Sequence, residues 1–171
     1  MISLAQSVLY LAFPAAMAGA AVSDLATMTI PNRLSLALVA LFMIAAPVYG
    51  LTLADIGAHL LIGLTVLAIG IALFARGWIG GGDAKIAAAA ALWLGLPQLL
   101  PFLSYSALFG GLLTLAVLLF RRQMLPAFAL GQGWLMRLHD PRAGVPYGVA
   151  LAAGALVAFP DTLFVKIASG A

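Results

Sequence analysis

The stretch Ile86–Phe120, IAAAAALWLGLPQLLPFLSYSALFGGLLTLAVLLF, contains no charged residue. It is roughly 35 residues long, whereas one helical crossing of a bilayer takes about 20. A single span is therefore excluded. The cluster Gly95-Leu96-Pro97-Gln98 is turn-like and sits inside the run. The stretch is expected to form two membrane helices joined by a tight hairpin. Working outward, Met1–Ser23, Leu34–Ala54, Ile56–Ala75 and Ala143–Pro160 are also free of charge. The fold expected is all-α, a polytopic membrane protein with about six transmembrane helices. They fall near 3–23, 34–50, 55–75, 83–96, 98–120 and 145–168, within a single membrane-embedded domain over 1–171.

Composition supports the same class. Of 171 residues, 65% are apolar and 8% charged, where a soluble domain carries about 25% charge. Mean hydropathy is +1.17. A soluble domain, a disordered chain and a coiled coil are excluded. The net charge of +3 is not a nucleic-acid footprint, because Lys and Arg in a membrane protein first report topology. Six spans put loops 1–2, 3–4 and 5–6 on one face. That face holds Arg33, Arg76, Lys85, Arg121, Arg122, Arg137 and Arg142, and the other holds only Lys166. The basic face is expected in the cytoplasm, with both termini external. No basic residue precedes Arg33, so Met1–Ser23 is expected to be a permanent helix rather than a signal peptide. Trp78, Trp134 and Tyr147 are expected at the inner interface, and Tyr49 and Trp93 at the outer one. Within the long loop 121–143, Gln123–Met136 is uncharged but too short to span. It is expected to lie along the interface or to re-enter the membrane.

Acids are costly at membrane depth. The chain has five Asp and no Glu. Asp55, with His59 one turn on, reads as a helix start. Asp140 reads as a solvated turn residue, and Asp161 falls on the outer side. No metal site is expected from two His and no Cys. Asp24 and Asp83 map to the same cytoplasmic edge, though far apart in sequence. Asp83 follows Gly80-Gly81-Gly82. From Asp83 to the turn at Leu96 a helix covers roughly 21 Å, less than the ~30 Å hydrocarbon core. Asp83 is thus expected below the membrane surface, at the start of helix four, with the glycine run as irregular backbone beside it. Two carboxylates at one depth suit general acid–base hydrolysis of a peptide bond, because a close pair shares one proton. The residues leave other readings open: two independent interfacial caps, a small transporter, or a membrane scaffold.

Ser23-Asp24-Leu25, Ile30-Pro31-Asn32, Gly80-Gly81-Gly82-Asp83-Ala84-Lys85 and Pro146-Tyr147-Gly148 together resemble the type IV prepilin leader peptidases, the GxGD membrane aspartyl proteases. The resemblance implies that Asp24 and Asp83 are the catalytic pair, with Gly80, Gly81 and Gly82 as the active-site loop and no cofactor. It implies a pilin precursor as substrate, with a short basic leader before an apolar helix. Cleavage would follow a Gly at the cytoplasmic edge of the bacterial inner membrane. Pilus-assembly machinery would be a further partner, and membrane lipid the surroundings. Asp24 stands early and Cys is absent, so the chain resembles the short form associated with tight-adherence (Flp-type) pili. No N-terminal methyltransferase-associated domain, and no methyltransferase activity, is expected. Signal peptide peptidases and presenilins pair GxGD with Tyr-Asp, whereas Ser23 precedes Asp24 here. Lys85, Pro146, Tyr147 and Gly148 are candidate substrate contacts. The simpler roles are a snorkelling anchor for Lys85 and a helix start for Pro146-Tyr147-Gly148.

Overall fold

A computed structural model describes residues 4–125 and 131–169, and its secondary structure is entirely helical among them. The elements are α1 (Leu4–Thr27), α2 (Asn32–Val48), α3 (Leu53–Ala75), α4 (Gly81–Arg121), α5 (Gly133–His139), α6 (Tyr147–Ala158) and α7 (Leu163–Ser169). Three helical stretches, Val8–Thr27, Leu53–Ala75 and Gly81–Arg121, are long and apolar enough to cross a membrane. The last of these is broken at Gly95, whose φ of 70° and ψ of 177° are non-helical. Only glycine adopts that conformation readily. The expected hairpin is there, and its turn is narrower than the four-residue cluster suggests. Gly95 alone leaves the helix, dividing α4 into a first arm (81–94) and a second arm (96–121). His59 closes the break by bonding the Leu92 carbonyl through Nδ1 at 2.7 Å, which satisfies a backbone group left over at the end of the first arm.

Small residues set how the arms pack. A Cβ at Gly63 would lie 3.1 Å from Leu92 Cβ, and one at Gly70 would lie 2.9 Å from Ala84 Cβ. Thus α3 runs antiparallel to the first arm. Gly154 faces Ser106, and Gly110 faces Tyr147, so α6 runs antiparallel to the second arm. Such close approach at glycine is how helices associate where no hydrophobic drive separates lipid from protein. Counting α1, α2, α3, the two arms and α6, the chain passes back and forth six times, as expected. The described ends of α1 and α7 lie together at one end of the bundle, where Tyr10 meets Phe159 and Tyr49 meets Phe164. The terminal residues 1–3 and 170–171 lie outside the described residues.

That end holds the aromatic core. Phe13 stacks on Phe159 at 4.7 Å, and Phe164 packs on Trp93 at 5.1 Å and on Phe42 at 5.9 Å. Two expected girdle residues belong here instead. Trp93 is wholly buried and donates Nε1–H to the Leu38 carbonyl at 2.9 Å. Tyr49 is buried with its hydroxyl on the Gln6 carbonyl at 2.7 Å. Each polar tip has a backbone acceptor inside the protein and no need of the interface. Trp78 and Trp134 are exposed.

The sixth span is also shorter than expected. α6 stops at Ala158, a 3-10 turn covers Phe159–Asp161, and α7 is a separate short helix. Pro160 has no N–H to continue the ladder. Thr162 turns extended, with its hydroxyl on the Phe159 carbonyl at 2.8 Å. Of the uncharged loop stretch Gln123–Met136, residues 126–130 lie outside the described residues. The part beyond them forms α5, held by Arg137 bonding the Ala26 carbonyl at 2.5 Å. Arg121 ties down the following turn through the carbonyls of Leu138, Ala143 and Gly144, each at 2.9 Å.

Candidate active site

The end of α1 is shaped by short polar side chains. Ser23 Oγ donates to the Thr29 carbonyl at 2.9 Å, and Thr27 Oγ1 donates to the Ser23 carbonyl at 2.8 Å. Met28 takes a left-handed φ of 55°, and its N–H bonds the Asp24 carbonyl at 2.7 Å. The chain reverses there and sends Ile30 inward, where it is buried. Pro31 then caps α2 in extended conformation.

Ile30 is a wedge between two glycines from distant elements. A Cβ at Gly82 would sit 3.2 Å from Ile30 Cβ, and one at Gly148 would sit 2.7 Å from Ile30 Cδ1. The start of α4 and the start of α6 are thereby held around the end of α1. Asp24 is only 6% exposed, and its Oδ2 accepts the Gly148 N–H at 2.7 Å. A methyl group at Gly148 would come within 2.9 Å of that same oxygen.

Asp83 sits differently from expectation. Gly80 is the N-cap and α4 begins at Gly81, so Asp83 is in the first turn and not at the cap. Gly81 and Gly82 are helical, and the irregular backbone is confined to what precedes them. The Asp83 carboxylate folds back onto Gly80, where an added Cβ would lie 2.8 Å from Oδ2, and an acid is favoured at this positive end of a helix. The two acids, from α1 and α4, lie close enough for the charge of Asp24 to act on Asp83.

Asp83 opens on a cleft of about 660 Å³, walled by Trp78, Gly80, Ala87, Tyr147 and Leu151 among others. Asp24 is buried beside it. Tyr147 is the member of Pro146-Tyr147-Gly148 that lines the cleft, while Pro146 and Gly148 are buried. Lys85 lies elsewhere. It lines a separate apolar groove of about 380 Å³ between α2, α3 and the first arm, with Nζ donating to Asn32 Oδ1 at 2.8 Å. Asp83 and Ala87 share one helix face; Lys85, Ala88 and Leu92 share another.

The cleft is recessed. Gly110 lies beside Tyr147, and from there the second arm continues to Arg121, roughly 16 Å further along the helix. The remaining acids are occupied locally. Asp55 forms a capping box with Thr52, and His59 turns inward to Leu92. Asp140 accepts the Arg142 N–H at 2.9 Å, and Asp161 lies in the 3-10 turn. Among the described residues no group of three or more His, Cys, Asp or Glu could hold a metal ion. From sequence, Ile30 figures only within a family motif and Gly148 only as a candidate substrate contact; holding Asp24 in place was not expected of either. Ile30 stands in the connection between α1 and α2, with Thr29 before it and Pro31 after it, and nothing in that local sequence says what it wedges apart.

A sequence model described as the type IV leader peptidase family matches residues 11–115, a span that includes Asp24 and Asp83 and stops short of Pro146-Tyr147-Gly148. No match was found among curated proteins or among solved structures.

Proposed function

Because the chain belongs to the type IV leader peptidase family, we propose that it is an aspartic endopeptidase in which Asp24 and Asp83 are the catalytic pair. The observation that carries this reading is the Ile30 wedge, which gathers the end of α1 and the starts of α4 and α6, with Asp83 lining the cleft and Asp24 buried on the Gly148 amide next to Tyr147 of its wall. In this reading the two carboxylates meet at the scissile bond, where a close pair does not doubly ionise and holds one proton. The ionised member takes a proton from water as the water oxygen attacks the scissile carbonyl carbon. The protonated member gives its proton to the carbonyl oxygen. The tetrahedral diol then collapses: one carboxyl gives its proton to the leaving amine as the C–N bond breaks, the other carboxylate takes the proton of a diol hydroxyl as the carbonyl re-forms, and the pair again holds one proton.

The substrate class is the one the family implies, and depth is consistent with it. The cleft is set back behind Arg121, and the loops at this end carry the basic residues. A precursor with a polar leader and an apolar helix rests in a bilayer with its junction at such a depth. We assign the substrate as a type IV pilin precursor of the Flp class, cut at the cytoplasmic edge of the inner membrane, with pilus-assembly machinery as the downstream partner. The scissile segment lies extended along Tyr147, Trp78 and Leu151, with Gly80 leaving room for the Asp83 carboxylate that faces it. Pro146 and Gly148 support the site from behind.

The test is cleavage of a purified pilin precursor by the purified protein in detergent or proteoliposomes, read as loss of leader mass. Wild type should cleave, and Asp24→Asn and Asp83→Asn should not. Cleavage by Asp24→Asn at the wild-type rate would overturn the pair.

A further inference from the structure

Gly110 lies in the middle of the second arm, where glycine costs about 1 kcal/mol relative to alanine in an exposed helix. Its neighbour Gly111 has nothing within 4 Å of a Cβ built upon it. At Gly110 that Cβ would overlap the Tyr147 hydroxyl and the ring carbon bearing it, with Cε2 at 2.7 Å. The missing side chain is thus a notch that receives the tip of the Tyr147 ring. The helix is continuous there, and Thr114 Oγ1 bonds the Gly110 carbonyl at 2.7 Å. Tyr147 seats against Gly110 and also forms a wall of the cleft that holds Asp83 and Ala87.

We propose that Gly110 is a specificity-determining positioning residue: by letting the Tyr147 ring sink into the second arm, it sets the width of the cleft and so the size of substrate side chain accepted beside the scissile bond. The specificity part rests on the peptidase reading above; the width of the cleft does not. A methyl group at position 110 must drive the ring on the order of 1 Å to reach ordinary contact. The displaced ring narrows the space in front of Asp83. Bulky residues are then excluded while small ones still enter.

Two readouts separate the parts. The chain has no cysteine, so Ala87→Cys places a single thiol in the cleft. Its labelling rate is measured in folded, detergent-solubilised protein with a methyl thiosulfonate and with a bulky maleimide. Gly110→Ala should slow the bulky reagent relative to the small one by on the order of tenfold, and Gly111→Ala should leave the ratio unchanged. Adding Tyr147→Ala should abolish the effect of Gly110→Ala, and adding Tyr147→Phe, which removes the overlapping hydroxyl, should restore part of the access. In the second readout, precursors with Ala or Phe after the scissile bond are compared by kcat/KM. Gly110→Ala should disfavour Phe by a similar factor. An unchanged labelling ratio in Gly110→Ala, or an equal effect in the Tyr147→Ala background, would overturn the notch. A changed labelling ratio with no cleavage by wild type would uphold the notch and count against the peptidase reading. If Gly110→Ala fails to fold alone but folds with Tyr147→Ala, the overlap is confirmed directly.

Discussion

Gly148→Ala tests the proposed chemistry at one methyl group. The added carbon would lie 2.7 Å from Ile30 Cδ1, 2.9 Å from Asp24 Oδ2 and 3.1 Å from Asp24 Cβ. Real Cβ contacts are not this short, so Ile30 or Asp24 must move. Asp24 is buried and held by a single backbone N–H at 2.7 Å, and moving it stretches that bond. A hydrogen bond to a charged group contributes about 1.5–3 kcal/mol. With each 1.36 kcal/mol worth tenfold in rate, kcat should fall by roughly 10- to 150-fold. KM should change little, because the bond positions a reacting group and not the substrate. The assay is leader removal under saturating precursor, with thermal melting in detergent to confirm folding. Ile30→Val deletes the Cδ1 atom that the new methyl meets first, so Gly148→Ala/Ile30→Val should recover part of the rate. Gly57→Ala, where nothing lies within 4 Å, is the matched control. A folded Gly148→Ala protein with kcat within twofold of wild type would refute the idea that this amide holds Asp24 in place.

Asp24→Asn and Asp83→Asn should each reduce kcat by about 10³-fold or more, and the double variant should be little worse than either, since the pair works as a unit; Asp140→Asn should keep most activity, and Asp55→Asn should cost about 1 kcal/mol of stability through its capping box without removing cleavage. The pH–rate profile should be bell-shaped, because only the singly protonated pair is active, and a rate that climbs steadily with pH would contradict proton sharing. Gly95→Ala should lower the melting temperature, since position 95 has a φ of 70° and a Cβ there would lie 2.8 Å from His59 Cε1; unchanged melting would mean the hairpin tolerates another geometry. Reporter fusions after Arg122 should read cytoplasmic and those after Ala171 external, and a cytoplasmic reading at Ala171 would break the expected orientation.

The number of passes was legible because a charge is expensive at membrane depth and its absence over a long run is a local fact of sequence. Ile86–Phe120 declared two helices, and Gly95 ahead of Pro97 declared the turn. What was not legible is which residues face lipid and which face protein. In a soluble chain apolarity marks the inside, but here both surroundings are apolar and the mark is lost. Leu92 is buried and Leu100 is 73% exposed, and their own apolarity does not distinguish them. Size is the better guide: Ala88–Ala91 are buried in the first arm while Leu96, Leu108 and Leu112 stand exposed. The same loss of contrast explains Trp93 and Tyr49, whose aromatic character suited the interface as well as the core. It also explains the early end of α6, where Phe159 and Pro160 continue an apolar run that has already left the helix.

The site was half legible for a related reason. Asp24 and Asp83 stood out because acids at membrane depth are rare, and their type suited acid–base chemistry without excluding two interfacial caps, a transporter or a scaffold. The parts that hold them are silent side chains or bare backbone. Gly148 contributes an N–H that every residue except proline possesses, and its distinction is the missing Cβ. Ile30 is an ordinary apolar residue in a short connection, and its distinction is what it touches. Their roles exist through contact between α1, α4 and α6, and a contact across more than a hundred residues has no local signature. It does have a consequence for the chemistry. Removing Ile30 bulk should loosen all three helix ends together, so that Ile30→Ala lowers kcat without touching either carboxylate, whereas the same truncation at exposed Leu36 should not.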